Sequence, residues 1–180
     1  NKGMYGLCFS PYEEGQQPGD TITEAQIRRR MEIIQPYTKW IRSFSCTDGN
    51  ELIPQIAHEY GIKTMVGAWL GSDDEINKKE IANLIKIAKE GYVDLAAVGN
   101  EVLLRNELSE QEILQYIQRV KSVLPNIPVG YVDAYYKLGK LHENKNEIDK
   151  AILAYKAGKV VASKAKNQKC IGELTEALML

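Results

Sequence analysis

Five short apolar runs, each followed by a stretch of helical periodicity, constrain this chain more than any other feature. MYGLCF (4–9), KWIRSF (39–44), IKTMVGAWL (62–70), VDLAAVGNE (93–101) and IPVGYVDAYY (127–136) are rich in Val, Ile, Tyr or Trp. Continuous apolar runs of this length suit strands covered on both faces, as in a parallel sheet. The helices between them have readable starts. Thr23 with Gln26, Ser72 with Glu75 and Ser109 with Glu112 each fit the capping box, in which side chains satisfy orphan backbone donors. Ile81, Leu84, Ile85 and Ala88 share one face of the third predicted helix; Ile113, Leu114, Ile117, Val120 and Leu124 share one face of the fourth. Gly61 and Gly91 follow AHEY and AKE, where a helix stops on a residue tolerant of positive φ. The alternation predicts an α/β fold with right-handed crossovers.

Doubly wound sheets and (β/α)8 barrels both alternate in this way, so the polar positions must decide. Barrel enzymes gather functional side chains at the C-terminal ends of their strands. The predicted strand ends here read FSPYEEG, FSCTDGN, AWLGSDD, GNE and YVDAYY, dense in Tyr, Trp, Asp, Asn and Glu. No GxGxxG or GxxxxGK[ST] loop follows the first strand, which argues against nucleotide binding. A barrel-type sugar or metabolite site fits better.

The bulk numbers exclude several classes. At 180 residues, 44% of them hydrophobic and 26% charged, the chain is an ordinary globular sequence. A net charge of -1 gives no electrostatic reason to expect nucleic acid or an anionic membrane as partner. No apolar run approaches the roughly 20 residues that span a bilayer. Asn1 opens the sequence with no charged-then-apolar leader, so any export signal is expected to have been removed or never included. Cys8, Cys46 and Cys170 show no metal-ligand spacing. No metal site and no cofactor are expected, and Cys8 and Cys46 read as buried free thiols. His58 reads as a surface helix residue, and Arg28 to Arg30 as a solvated helix face.

Several stretches together resemble glycoside hydrolase family 17, the β-1,3-glucanase family, in its bacterial and fungal members. They are GLCFSPY, WIRSFSCTDGNEL, YGIKTMVGAWL and VGNEVLLRNELSEQEILQYIQRVKSVL, with IPVGYVDAY similar to the family's fifth strand. The likeness covers about the first 135 residues. It implies a (β/α)8 barrel acting on β-1,3-glucans with retention, by hydrolysis or by transfer. The resemblance places the proton donor at Glu101, preceded by Asn100 at the end of the fourth strand. Such a carboxyl first protonates the leaving oxygen and then acts as base, while the Asn hydrogen-bonds a sugar 2-hydroxyl. Tyr12, Arg42, Asp48, Trp69, Tyr131 and Asp133 stand at or near strand ends as candidate substrate contacts, the aromatic rings to stack on glucose and the polar groups to orient hydroxyls.

The sequence departs from the family after Tyr136. A retaining enzyme needs a second carboxylate about 5 Å from the first, which the family carries on its seventh strand in a stretch close to E-T/F-G-W-P. No such stretch occurs, and Glu173 and Glu176 stand in an amphipathic pattern. The expected organisation is therefore a partial barrel of four to five βα units over residues 1–136, followed by a helical tail over 137–180. Tyr135, Leu138, Gly139, His142, Ala151 and Tyr155 fit the tetratricopeptide pattern with two substitutions, with Leu138, Leu141, Ile148, Ala151, Ile152 and Tyr155 as the facing stripes. The expected partners are a β-glucan, a protein docking on the tail, and a second copy covering the open barrel edge. Two functions follow: a family 17-like glucan hydrolase or transglycosylase lacking its nucleophile strand, or a non-catalytic glucan-binding remnant with a helical docking module.

Overall fold

The computed structural model describes residues 3–132, 135–164 and 168–179. The chain falls into two compact units, Asn1–Asn100 with Leu108–Val132 and Glu101–Glu107 with Asp133–Leu180. In the first, β1 (Met4–Cys8), β2 (Thr38–Arg42), β3 (Lys63–Ala68), β4 (Leu95–Asn100) and β5 (Val129–Val132) form one sheet. Every pairing is parallel and the strands lie in chain order. A doubly wound sheet reverses its strand order at a switch point. Unreversed order is how successive βα units build a barrel wall, so the structure is five strands of a (β/α) barrel.

Helices α1 (Glu24–Ile34), α2 (Ile53–Glu59), α3 (Asp74–Lys89) and α4 (Glu110–Val123) connect the strands. Right-handed crossovers in a sheet of this order bring successive helices to one face. There, Ile41 of β2 packs with Phe9, Ile27, Met31, Ile53, Ile56 and Ile62, all at most 5% exposed. Each such fully buried side chain contributes roughly 1.5–3 kcal/mol. Trp40 and Arg42 alternate to the opposite face and line, with Tyr5, Met65 and Leu95, a groove of about 370 Å³. Cys8 lines the same groove and is exposed, contrary to its expected burial. Its strand lies at the edge, since among the described residues β1 pairs only with β2. Cys46, in contrast, is buried, and its side chain lies outside any disulfide.

Two of the three expected capping residues do cap. Thr23 Oγ1 accepts from the Gln26 N–H, and Ser109 and Glu112 form the full reciprocal box. The third helix is capped by Asp73 instead of Ser72, its carboxylate accepting from the Glu75 and Ile76 N–H groups at 2.9 and 3.1 Å. A charged acceptor one residue later complements the helix N-terminus better than a hydroxyl. Two apolar faces also shift: Leu114 is exposed and Ile85 only half-buried, while Ile87 is buried. No helix of the described residues is long and apolar enough to cross a membrane.

The second unit contains α5 (Tyr135–Asn144), α6 (Ile148–Lys164) and α7 (Gln168–Ala177). Ala151 and Tyr155 of α6 are fully buried and cluster with Leu174 and Ala177 of α7. Gly139 of α5 lies directly under the Tyr155 ring, where an added Cβ would come within 2.1 Å of Cε1. The Tyr155 hydroxyl donates to Glu143 at 2.6 Å, closing the hairpin. Ile148 is exposed, so it is not part of the facing stripe, and the side chains of Tyr135, Leu138 and Leu141 lie outside those described.

Gly67 fixes how closely β3 approaches the chain leaving β2. A Cβ there would stand 2.6 Å from the Ser43 carbonyl oxygen and 3.0 Å from Phe44 Cα, both backbone atoms. Gly130 in β5 has nothing within 4 Å of the same position. Gly67→Ala is therefore expected to destabilise the chain by about 1–3 kcal/mol through overpacking. Gly130→Ala is expected to stay within about 0.5 kcal/mol of wild type in urea unfolding.

Candidate active site at the strand ends

The C-terminal ends of β1, β2 and β3 enclose a cavity of about 530 Å³. Phe9, Pro11, Tyr12, Phe44, Trp69 and Ile76 form its apolar walls, and Ser45, Thr47, Asp48, Asn50 and Glu80 its polar side. Three of the expected contacts, Tyr12, Asp48 and Trp69, thus line one cavity. Trp69 follows β3 directly, lines the cavity and keeps 38% of its surface exposed. The Tyr12 hydroxyl accepts from Asn50 Nδ2 at 3.4 Å, and the same amide donates to the Thr47 carbonyl at 3.0 Å. Asp48 and Gly49 both adopt positive φ, 58° and 91°, and Ile22 N–H donates to the Asp48 carbonyl at 2.8 Å. A non-glycine residue in that region costs of order 1–3 kcal/mol and holds where its surroundings over-determine it.

A second group gathers at the end of β4. The register with β5 shifts between Ala97 and Asn100, Gly99 adopts φ 84° and Glu101 adopts φ 50°. A break in register of this kind re-aims the side chains that follow it. Arg42 donates to Asn100 Oδ1. A guanidinium can only donate, so this contact fixes which end of the Asn100 amide is oxygen. Arg42 also stands over the Phe44 ring at 4.6 Å, and its buried Nε has no hydrogen-bond partner among the described residues. Tyr131 lies against Gly99, where an added Cβ would come within 3.4 Å of its ring. Glu101 belongs to the second unit, in the turn of residues 101–107, and its carbonyl accepts from Arg105 N–H at 2.9 Å. Asp133 lies outside the described residues.

Of the residues set aside in the sequence, His58 and Arg28 stay away from these ends, whereas Arg29 and Arg30 reach the loop after β1. His58 lies 2.9 Å from Asp94, which precedes β4 at the opposite end of the strand. Arg28 pairs with Glu24 and Glu59, and Arg29 with Glu13. Arg30 is not solvated as expected: it is half-buried, with Nη2 reaching the Tyr12 carbonyl at 3.4 Å.

Ser45, Thr47, Asn50 and Glu80 of the cavity were not among the expected contacts, and of these Glu80 alone lies outside the predicted strand-end stretches. Glu80 of α3 is buried and accepts hydrogen bonds from Ser45, Cys46, Thr47 and Trp69. The available signal was a carboxylate in the buried register of an amphipathic helix, beside Ile81 and Leu84. Burial raises the Glu80 carboxyl above its ordinary value of 4.5, and the four donors pull it part of the way back. Burial likewise pushes the adjacent Cys46 thiol well up, assisted by the Glu80 charge, and its Sγ–H donates to the Gly67 carbonyl at 3.3 Å.

The family model of the BtgE/BtgC glycoside hydrolase domain matches residues 6–168. The chain belongs to that family. It is similar to two proteins named glucan 1,3-beta-glucosidase. One, from Arthroderma benhamiae, is 27% identical over 124 residues, covering 66% of this chain and 40% of the relative. The other, from Schizosaccharomyces pombe, is 28% identical over 115 residues, covering 58% and 36%. The chain thus spans less than half the length of these curated relatives. Its backbone superposes on the glycoside hydrolase family 17 β-1,3-glucanosyltransferase of Rhizomucor miehei with a TM-score of 0.65 at 19% identity, over 97% of this chain and 66% of that one. An active-site mutant of the same enzyme, in complex with laminaritriose, gives 0.65 at 21% identity, over 97% and 67%. These likenesses show the barrel fold of family 17, and the family match makes the chain a glycoside hydrolase domain.

The raised Glu80 carboxyl has a measurable sign. The folded state binds its proton more tightly than the unfolded state does, so this group's contribution to stability is greatest at low pH. It falls as pH rises from 4.5 through the raised folded value. Urea unfolding between about pH 4 and 7 is expected to show Glu80→Gln gaining on wild type as pH rises, then levelling off. A constant difference across that range would contradict the assignment.

Proposed function

We propose that this chain carries the proton-donating and glucan-binding part of a retaining enzyme acting on β-1,3-linked glucans, with Glu101 as acid/base. The observation that carries the reading is the convergence of Trp69, Tyr12 and Asp48 on one cavity at the strand ends. Apolar walls with a few polar groups on one side suit a sugar, whose ring faces are apolar and whose edge bears hydroxyls. The names of the relatives, glucan 1,3-beta-glucosidases and a β-1,3-glucanosyltransferase bound to laminaritriose in one structure, support β-1,3-glucan as substrate class.

Each residue then has a role. Glu101 protonates the leaving glycosidic oxygen and later takes a proton from the attacking water or sugar hydroxyl. Its strained backbone, just after a break in the β4–β5 register, is the kind of local cost that persists where geometry matters to function. Arg42 holds the Asn100 carbonyl, which directs the amide NH₂ as a donor towards a sugar 2-hydroxyl. Trp69 and Tyr12 stack on glucose rings and Asp48 accepts from their hydroxyls, with Tyr131 and Asp133 as further contacts. No nucleophile is assigned among the described residues. The helical tail is assigned a tetratricopeptide-like hairpin with a protein partner, supported by the Gly139–Tyr155 contact. Self-association is supported by the exposed Met4 and Tyr5 on the edge strand.

Laminaritriose titrated into the chain by calorimetry tests the binding role. Wild type is expected to bind, and Trp69→Ala to bind roughly three- to tenfold more weakly, the worth of one ring-stacking contact. Glu101→Gln is expected to leave that affinity within about twofold while lowering at least about 100-fold whatever release of new reducing ends from linear β-1,3-glucan the wild-type chain shows. Turnover undiminished in Glu101→Gln would overturn the acid/base assignment.

A further inference from the structure

Helix α3 carries a polar stripe at helical spacing on its buried side: Asn77, Glu80 and Asn83. Asn77 exchanges both hydrogen bonds with Gly71, its Oδ1 accepting at 2.8 Å and its Nδ2 donating at 2.7 Å. Asn83 Nδ2 donates to the Cys46 carbonyl at 2.7 Å. Glu80 stands between them and is only 1% exposed. Its Oε1 accepts from Ser45 Oγ at 2.6 Å and Thr47 Oγ1 at 2.8 Å. Its Oε2 accepts from the backbone N–H of Cys46 at 2.8 Å and of Trp69 at 3.0 Å.

Three of these donors leave β2 and the fourth follows β3. None of the four is a cation, so the carboxylate is held by hydrogen bonds alone. A buried anion in that setting is costly, and a pair of apolar residues would stabilise a plain helix–strand contact with less risk. What the carboxylate does that they cannot is join two separate loops at one point. Ser45 and Thr47 line one side of the cavity and Trp69 another.

The geometry points to Glu80 as the positioning residue of the cavity: it holds the Trp69 backbone against the Ser45–Thr47 loop and so sets the width of the slot that a sugar ring enters. This deepens the glucan-binding reading and rests on it. Glu80 borders the cavity, but both of its oxygens are occupied by these four donors, so it acts through the loops it joins. The requirement is for acceptors at Oε2, because backbone N–H groups can only donate, whereas the Ser45 and Thr47 hydroxyls can also accept. Glutamine satisfies this pattern, with its oxygen towards the two N–H groups and its NH₂ towards the hydroxyls. Alanine does not, and aspartate, one methylene shorter, cannot reach both loops.

The test uses Trp40→Phe as background, which leaves Trp69 as the single tryptophan of the chain's two. Laminaritriose affinity and Trp69 emission are measured for Glu80, Glu80→Gln, Glu80→Ala and Glu80→Asp. Glu80→Ala is expected to lose at least tenfold in affinity and to shift Trp69 emission to the red, and Glu80→Gln to restore both to within twofold of the parent. If Glu80→Ala does not fold, Glu80→Asp is expected to show the loss and the shift. A folded Glu80→Ala or Glu80→Asp that is merely less stable, with parental emission and affinity, overturns the inference. So does a Glu80→Gln as weak as Glu80→Ala, since charge and not placement would then be what matters. Should the parent itself not bind laminaritriose, the glucan reading fails, while the emission shift still decides the positioning role.

Discussion

Parallel pairing of consecutive strands in unbroken chain order is the constraint on which the first unit depends. With every strand running the same way, all five C-terminal ends share one rim and every following loop starts there. Tyr12, Asp48 and Trp69, which follow three different strands, are therefore brought to one cavity without any long-range sequence signal. The same order explains the asymmetry of the two sheet faces. One is sealed by Ile27, Met31, Ile53 and Ile56 from the helices, and the other is an open groove lined by Tyr5 and Trp40.

Close packing at the rim is then a matter of backbone approach. Gly67 admits the Ser43–Phe44 backbone where any side chain would collide, and Gly49 does the same against the Ile22 carbonyl, 2.0 Å from where a Cβ would stand. Polar stitching follows from this approach, since backbone groups brought so near each other away from water need partners. Asn77, Glu80 and Asn83 supply them from α3. The helix is therefore amphipathic in an unusual sense, its buried face part apolar and part hydrogen-bonding.

Much of this was legible in residue order. The apolar runs gave the strands to within one to three residues at most ends, and Thr23 and Ser109 marked helix starts because capping is a local contact. Asp73 displaced Ser72 as a cap since two acceptors competed for one helix end, a choice that pattern alone does not resolve. Cys8 and Leu114 read as buried because their neighbours are apolar, yet an edge strand and the outer side of α4 leave them exposed. Glu80 was illegible for a different reason: its partners lie 33 to 35 residues before it or 11 before it, and nothing local distinguishes it from a solvated glutamate. The positive φ at Asp48 and Glu101 was equally hidden, because neither residue is a glycine that would announce it.

The central proposal is that a β-1,3-glucan enters the rim cavity over Trp69 and not the open groove over Trp40. The two tryptophan indole N–H signals of a ¹⁵N-labelled chain, followed while laminaritriose is added, test it directly. The account predicts that the Trp69 signal moves progressively to saturation while that of Trp40 stays in place. Movement of the Trp40 signal alone, or of neither, would contradict it.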